Sequence, residues 1–252
     1  MTLKFSIVTC TWNSEPYLEE SIASVLAQDY PDVEYIFVDG GSTDGTLERI
    51  AAISRPVEVL HDVRGGIGRA MNAGIGAATG DIVAHLHSDD YYLDPGVLSR
   101  VAKAFVATDC AWLFGRILSD INGNLEKERY RVPRYSYRTL VRNNIIPHAA
   151  TFVRRHVFEE HGMFNESFQL AMDYEYWLRI GKTYSPVQLD DYLSAYRRHS
   201  RSASVANRLK SLNEDFRARF AHGRVLEYPE FALRYPVRRF RLWRSMRPHV
   251  TS

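Results

Sequence analysis

The sequence predicts an α/β fold, a largely parallel sheet with helices on both faces, extended by a helical, basic C-terminal segment. Three observations lead there. Short apolar runs alternate with helical stripes through the first 95 residues, which is the pattern of consecutive β-α units. Thr9, Thr11, Asp39 and the pair Asp89-Asp90 stand where such runs end, and ligands of parallel sheets bind beyond the carboxyl ends of the strands. With 252 residues, 45% of them hydrophobic, the chain can bury a full core as one large domain or one domain with appendages.

In chain order, Phe5–Thr11 reads as the first strand and Trp12-Asn13-Ser14-Glu15-Pro16 as its exit, with Ser14 a cap and Pro16 in the first helical turn. Leu18, Ile22, Val25 and Leu26 then form one apolar helical stripe, stopped at Tyr30-Pro31-Asp32. Val33–Asp39 is the second strand, followed by the glycine-rich loop Gly40–Thr46 and a helix on Leu47, Ile50 and Ala51. Val57–Leu60 is a third short strand, and Ile67, Met71, Ile75 and Ala78 mark the helix before the strand Asp81–Ala84.

That last strand runs into His85-Leu86-His87-Ser88-Asp89-Asp90 and the loop Tyr91–Pro95. Two carboxylates at a strand end are hard oxygen ligands, suited to Mg2+ or Mn2+ that also binds substrate phosphates, or else they cap the next helix. Beyond residue 95 the alternation breaks down. A helix on Leu98, Val101, Ala102 and Phe105 precedes strands at 110–114 and 117–118, an Asn122-Gly123 hairpin turn, a strand over Ala149–Val153 and a short helix closed by Gly162. Ala171–Ile180 starts a helix with Asp173 in or before its first turn, where the dipole favours a carboxylate. Val187–Leu193 is the last sheet segment, Tyr196–Ser202 a basic loop, and Leu209, Leu212, Phe216 and Phe220 mark a further helix.

Lys plus Arg number 32 against 30 for Asp plus Glu, a balance that argues against nucleic acid as a partner. No run approaches the roughly 18 apolar residues that span a bilayer, and Met1–Phe5 leads straight into a strand, so no export is expected. Cys10 and Cys110 lack metal-ligand spacing and read as small buried hydrophobes, which fits a reducing, cytoplasmic setting.

Four ordered motifs resemble the family-two glycosyltransferases, inverting enzymes of the GT-A fold, over about residues 4 to 200: Ile7–Asn13, Val38–Thr46, Gly65–Ile75 with Ala78–Asp81, and Leu86–Asp90. The resemblance implies a catalytic domain over 1–205, with a nucleotide-binding half (1–95) and an acceptor half (96–205), followed by a C-terminal helix and basic tail over 206–252. It implies Thr9, Thr11, Asp39, Arg69 and Asp89 as nucleotide-binding residues, Asp90 as a direct ligand of a divalent metal, and Asp173 as the catalytic base. His199, as a metal ligand, and Arg201, on the diphosphate, sit in a loop able to close over the site. The alternatives are that Asp39 only bonds loop amides and that Asp173 only caps its helix; Tyr176 and Trp177 are core or acceptor wall. Two departures stand out: Ser88 where the family motif often opens with Asp, and Gly40 where a second Asp is usual.

The function so implied is sugar transfer from a nucleoside-diphosphate sugar, UDP favoured, to a hydroxyl of a glycan or lipid-linked acceptor in cell-surface polysaccharide synthesis. A sugar nucleotidyltransferase would instead carry an early glycine-rich phosphate loop with a lysine, and a dinucleotide oxidoreductase a G-x-G-x-x-G after the first strand. A non-catalytic carbohydrate-binding protein would not need both Asp90 and Asp173. Between Arg234 and Arg247 six arginines interleave with Tyr235, Val237, Phe240, Leu242, Trp243 and Met246 without an acidic residue. That segment suits an anionic cytoplasmic membrane surface, or packing on the catalytic domain or on a second subunit.

Overall fold

A computed structural model describes residues 2–127, 132–199 and 207–245. The elements run β1 (Phe5–Thr11), α1 (Glu15–Leu26), β2 (Val33–Asp39), α2 (Thr46–Ala51), β3 (Glu58–Leu60), α3 (Ile67–Ala77), β4 (Ile82–His85), β5 (Tyr91–Tyr92) and α4 (Val97–Thr108). The second half adds β6 (Trp112–Ile121), β7 (Asn124–Lys127), α5 (Tyr137–Arg142), β8 (Thr151–Arg154), α6 (Arg155–His161), α7 (Met172–Ile180), β9 (Val187–Arg197), α8 (Arg208–His222) and α9 (Tyr228–Ser245).

The strands form one sheet in the order β3-β2-β1-β4-β8-β6-β9-β5, with β7 paired to β6. Its first four strands are parallel, as the β-α alternation requires, and Thr11 lies level with Asp39. The second half is mixed: β8 runs antiparallel to β4 and β6, while β9 runs parallel to β6. Alternation along the strands splits the core between the two faces. Phe5 and Ile7 of β1 join Tyr35 and Phe37 under α1 and α4, whereas Val8 and Cys10 join Ile36 and Val38 under α3 and α7.

Several elements differ from the sequence expectation, each for a long-range reason. The two short strands expected at 110–114 and 117–118 are one strand, β6, with its register shifted around Arg116. Gly115 makes that possible, because a Cβ there would lie 2.4 Å from Leu193 Cδ1, so only glycine lets β9 pack this closely. The segment read as the loop Tyr91–Pro95 contains β5, which pairs with β9 through Tyr91–Ala195 and Tyr92–Ser194. Strand β9 correspondingly runs on to Arg197. Ser14 stands at the N-cap position of α1 and its carbonyl accepts the Tyr17 and Leu18 N–H groups, but its side chain makes no cap bond; the hydroxyl oxygen accepts the Trp12 N–H and the Ser88 hydroxyl instead. The strand expected from residue 149 begins at Thr151, after a 3-10 turn over His148–Ala150, and α5 is an element the periodicity did not announce.

Among the described residues, the helices that follow the expected division at residue 205 pack into the core formed by the residues before it. Phe216 and Ala218 of α8 and Phe231 of α9 share one core cluster with Trp112 and Trp177, whose rings stack at 5.4 Å. Tyr176 and Trp177 are buried, which makes them core residues and not acceptor wall. Among the described residues no helix is long and apolar enough to cross a membrane. Both cysteines are free, and burial pushes the Cys10 thiol up to about 12.

Helix α3 gives a stability test with an internal control. A Cβ at Gly74 would fall 2.3 Å from Val8 Cγ1, whereas at Gly76, on the exposed side, nothing lies within 4 Å. Gly74→Ala therefore loses about 1–2 kcal/mol, overpacking outweighing the gain in helix propensity, while Gly76→Ala gains up to about 1 kcal/mol. Urea unfolding of the two variants should show opposite shifts in midpoint.

Candidate active site

The parallel strands β1, β2 and β4 deliver their ends to one rim. At β1–β2 a cavity of about 410 Å³ is lined by Cys10, Thr11, Trp12, Gly40, Val63, Gly65, Gly66, Ile67 and Ala70, among others. Trp12 is 70% exposed at its mouth, an aromatic face suited to stacking a planar base. A side chain at Gly40 would meet Thr11 and Trp12 at ordinary contact distance, so this glycine opens the mouth without being sterically required.

Thr9 and Asp39, both expected to bind nucleotide, are engaged elsewhere. Thr9 is fully buried and donates to the Leu86 carbonyl at 2.7 Å, locking β1 to the segment after β4; it does not line the cavity. Asp39 accepts from the Thr11 hydroxyl (2.9 Å), the Gly41 and Ser42 N–H groups (2.8 Å each) and the Ser42 hydroxyl (2.5 Å). Burial alone would raise its pKa, but these donors outweigh it and hold the carboxyl below its usual range. Asp39 thus shapes the glycine-rich loop, and Thr11 reaches the cavity while bonded to it.

Arg69, exposed on the first turn of α3, lines a neighbouring polar cavity of about 430 Å³ with Glu166, Gln169, Leu170 and Lys210. The two cavities share the wall Gly65-Gly66-Ile67, which joins the Trp12 cavity to the loop that leads into α7.

At the end of β4 the two aspartates face residues about 110 positions later, brought there by the β5–β9 pairing. Asp89 Oδ2 lies 2.9 Å from His199 Nε2, and the His199 ring stacks on Tyr17 at 4.5 Å. Asp90, 3% exposed, accepts the Arg197 backbone N–H at 3.2 Å. The Arg197 guanidinium is clamped between Glu20 and Asp120 and lies over the Tyr17 and Tyr91 rings. Burial raises Asp90 well above the usual carboxylate range and the charge of Asp89 adds to this, with Arg197 opposing. Two crowded carboxylates of this kind are eased by a cation. Among the described residues no three or more His, Cys, Asp or Glu side chains converge as a metal cage. The donor set therefore fits a hard ion that draws its remaining ligands from water and phosphate. Arg201 lies outside the described residues.

Three imidazoles connect this end of β4 to α7. His148 stacks on His87 at 5.0 Å and on His85 at 5.5 Å, and lies 6.0 Å from Trp177. Burial disfavours the charged form of all three, lowering His85 to about 3. Asp173 occupies the first turn of α7, partly exposed, with Oδ1 accepting the Tyr174 N–H at 2.7 Å. Burial raises its pKa to about 7; the Tyr174 bond opposes this and the charge of Asp215 reinforces it.

Sequence reading missed what supports this turn. Glu214 Oε2 accepts the backbone N–H groups of Gln169 (2.9 Å), Leu170 (2.7 Å) and Ala171 (3.1 Å), the three residues just before α7. Behind them the buried Arg219 donates to the Tyr174 hydroxyl at 3.1 Å. Acidic residues within an amphipathic stripe carry no sequence signal for such a role; Arg197, within the basic loop noted above, was at least in view.

The buried Asp90, the partly exposed Asp89 and the Trp12 cavity all stand at the carboxyl ends of parallel strands in one sheet, where α/β proteins of this class bind their ligands. The family model for glycosyl transferase family 2 matches residues 6–162, and the chain belongs to that family. It is 26% identical over 223 residues to an uncharacterized glycosyltransferase of Haemophilus influenzae, covering 80% of this chain and 68% of that one. It is 31% identical over 183 residues to the chondroitin synthase of Pasteurella multocida, covering 70% of this chain but only 19% of the synthase. Among solved structures, S. aureus TarS 1-349 in complex with UDP-GlcNAc has a TM-score of 0.68 at 20% identity, over 86% of this chain and 66% of that one. The mannosyltransferase PcManGT of Pyrobaculum calidifontis, in complex with GDP-Man and Mn2+, also has a TM-score of 0.68 at 20% identity, over 89% and 66%. Those structures share the GT-A fold, and the chain spans about two thirds of each.

Proposed function

We propose that the protein transfers a sugar, with inversion, from a nucleoside-diphosphate sugar to a hydroxyl of a glycan or lipid-linked acceptor, acting in cell-surface polysaccharide synthesis at the cytoplasmic side. The observation that carries this reading is Asp173: a carboxyl raised to about 7, at the start of a helix tied through His148 and His87 to the Asp89–Asp90 end of the sheet. In its ionised form Asp173 accepts the proton of the acceptor hydroxyl as that oxygen bonds the anomeric carbon, and the nucleoside diphosphate departs from the opposite face. The base stacks against Trp12 above the Gly65-Gly66 wall, with Thr11 at its edge and Arg69 reaching the adjoining cavity. Asp90, aided by His199 next to Asp89, would hold a divalent ion, and that ion when bound would neutralise charge on the leaving diphosphate. Mn2+ in the PcManGT complex and UDP-GlcNAc in the TarS complex support a metal and a UDP donor respectively.

A thermal-shift panel of UDP, GDP, CMP and dTDP with and without Mn2+ tests the donor half. The expected result is stabilisation by nucleoside diphosphates, UDP ahead of GDP, that grows with Mn2+. Binding of the monophosphate alone, or no metal effect, would defeat it.

A further inference from the structure

Helix α9 presents a second amphipathic face, on the side away from the protein. Its inner face, Tyr228, Phe231, Tyr235 and Arg238, packs on α8 and the catalytic core: Phe231 is 1% exposed, Tyr235 bonds Asn213 and Arg238 bonds Asn143. On the outer face Leu233, Val237, Phe240 and Trp243 follow one another at intervals of 4, 3 and 3 residues, continuing the line begun by Leu226 just before the helix. At about 100° per residue these side chains form one stripe. Leu226 is 91% exposed, Leu233 73% and Phe240 58%. Six of the eleven exposed large apolar side chains among the described residues lie between Val225 and Trp243.

The same geometry puts Arg234 and Arg241 along one flank of the stripe and Arg239 along the other, with Arg244 at its far end. The two acidic residues of this region are at its beginning, and Glu230 is paired with Arg142 and Arg234; from 231 to 252 the sequence has no acidic residue. A protein partner meeting an apolar stripe would not require cations on both flanks. An anionic lipid surface does, because the apolar side chains enter the acyl boundary while the arginines lie level with the headgroups. Trp243 and Phe240, in ring contact at 5.9 Å, supply the aromatic character such an interface favours.

We propose that the outer face of α9 docks the protein on an anionic membrane surface, the inner face meanwhile holding the catalytic domain to it. This deepens the transfer reading by naming where a lipid-linked acceptor is met. It is tested apart from that reading, because vesicle binding requires no sugar transfer.

The experiment is sedimentation of the full chain with phosphatidylcholine vesicles, with and without phosphatidylglycerol. The protein should pellet only with the anionic vesicles and leave them in about 1 M salt, where the screening length is about 3 Å. Arg241→Gln with Arg244→Gln should weaken binding roughly 25-fold, about fivefold for each cation near the surface. Leu233→Gln with Phe240→Gln should weaken it at least about tenfold. All four sites are exposed, so nucleotide binding stays at the parent level in both variants and reports that they fold. Equal pelleting with neutral and anionic vesicles, pelleting with neither, or parent-like pelleting of both variants overturns the proposal. So does a dimer in sedimentation velocity that Leu233→Gln with Phe240→Gln converts to monomer, because the stripe would then belong to a second copy of the chain.

Discussion

Asp173→Asn should fold, bind donor nucleotide with parent affinity and transfer sugar at least about 100-fold more slowly, the scale of a removed general base. The amide oxygen can still accept the Tyr174 N–H, so α7 keeps its first-turn bond, while the proton acceptor is lost. The parent enzyme adds a pH signature. Only the ionised carboxylate serves as base, and burial lifts its pKa to about 7, so the rate should climb from pH 6 to pH 8 and then level off. Asp215 is a like charge that helps hold that pKa up, and Asp215→Asn should move the rising limb to lower pH. Initial rates across that range settle it. A flat profile, or near-parent transfer by Asp173→Asn, hands the base role to another residue.

The second large effect belongs to Asp90. Replacing it by Asn should abolish the Mn2+-dependent part of UDP binding, at least about 100-fold in affinity, given that even outer-shell partners of a metal are worth 10–100-fold. The part of binding contributed by the Trp12 pocket should survive. The metal-free protein should meanwhile melt no lower and by preference higher. Burial and the Asp89 charge both disfavour ionised Asp90, and asparagine removes that charge while keeping an acceptor for the Arg197 N–H. Titration calorimetry with UDP, with and without Mn2+, beside a metal-free melt, reads both effects. Unchanged Mn2+ dependence would remove Asp90 from the metal site.

The nucleotide half of this arrangement was legible because its signals are local. Phe5–Thr11 is a continuous buried run and Val33–Asp39 is buried from Tyr35 on, a polar exit follows the first and a glycine-rich loop the second, and the parallel register of β1 with β2 follows from β-α alternation. The second half was not, because its decisive contacts join distant segments. Tyr91-Tyr92 has no strand character until β9 arrives to pair with it, and nothing local in Tyr196–Ser202 says that Arg197 ends against Asp90. For two candidate site residues the positions were legible and the bonds within the protein only partly so. Thr9 and Asp39 sit at strand ends as expected, yet their oxygens are satisfied by Leu86 and by the loop amides, so their contribution is to shape the pocket. Glu214 shows the limit most plainly, since a carboxylate on a helical stripe gives no hint that it will gather three backbone amides some 45 residues upstream.

That gathering has a consequence in time. One carboxylate oxygen of Glu214 accepts all three amides before α7, and Glu214 follows the last strand of the sheet in the chain. As the chain leaves the ribosome, the residues that line the Trp12 cavity are all present once Ala70 has emerged, although β4 still awaits β8, whereas the turn that carries Asp173 is not tied to Glu214 until α8 has emerged. On the proposed transfer reaction, synthesis order separates the two halves of the site: a nascent chain stalled short of α8 would carry the lining of the donor cavity but lack the carboxylate that fixes the turn of its base.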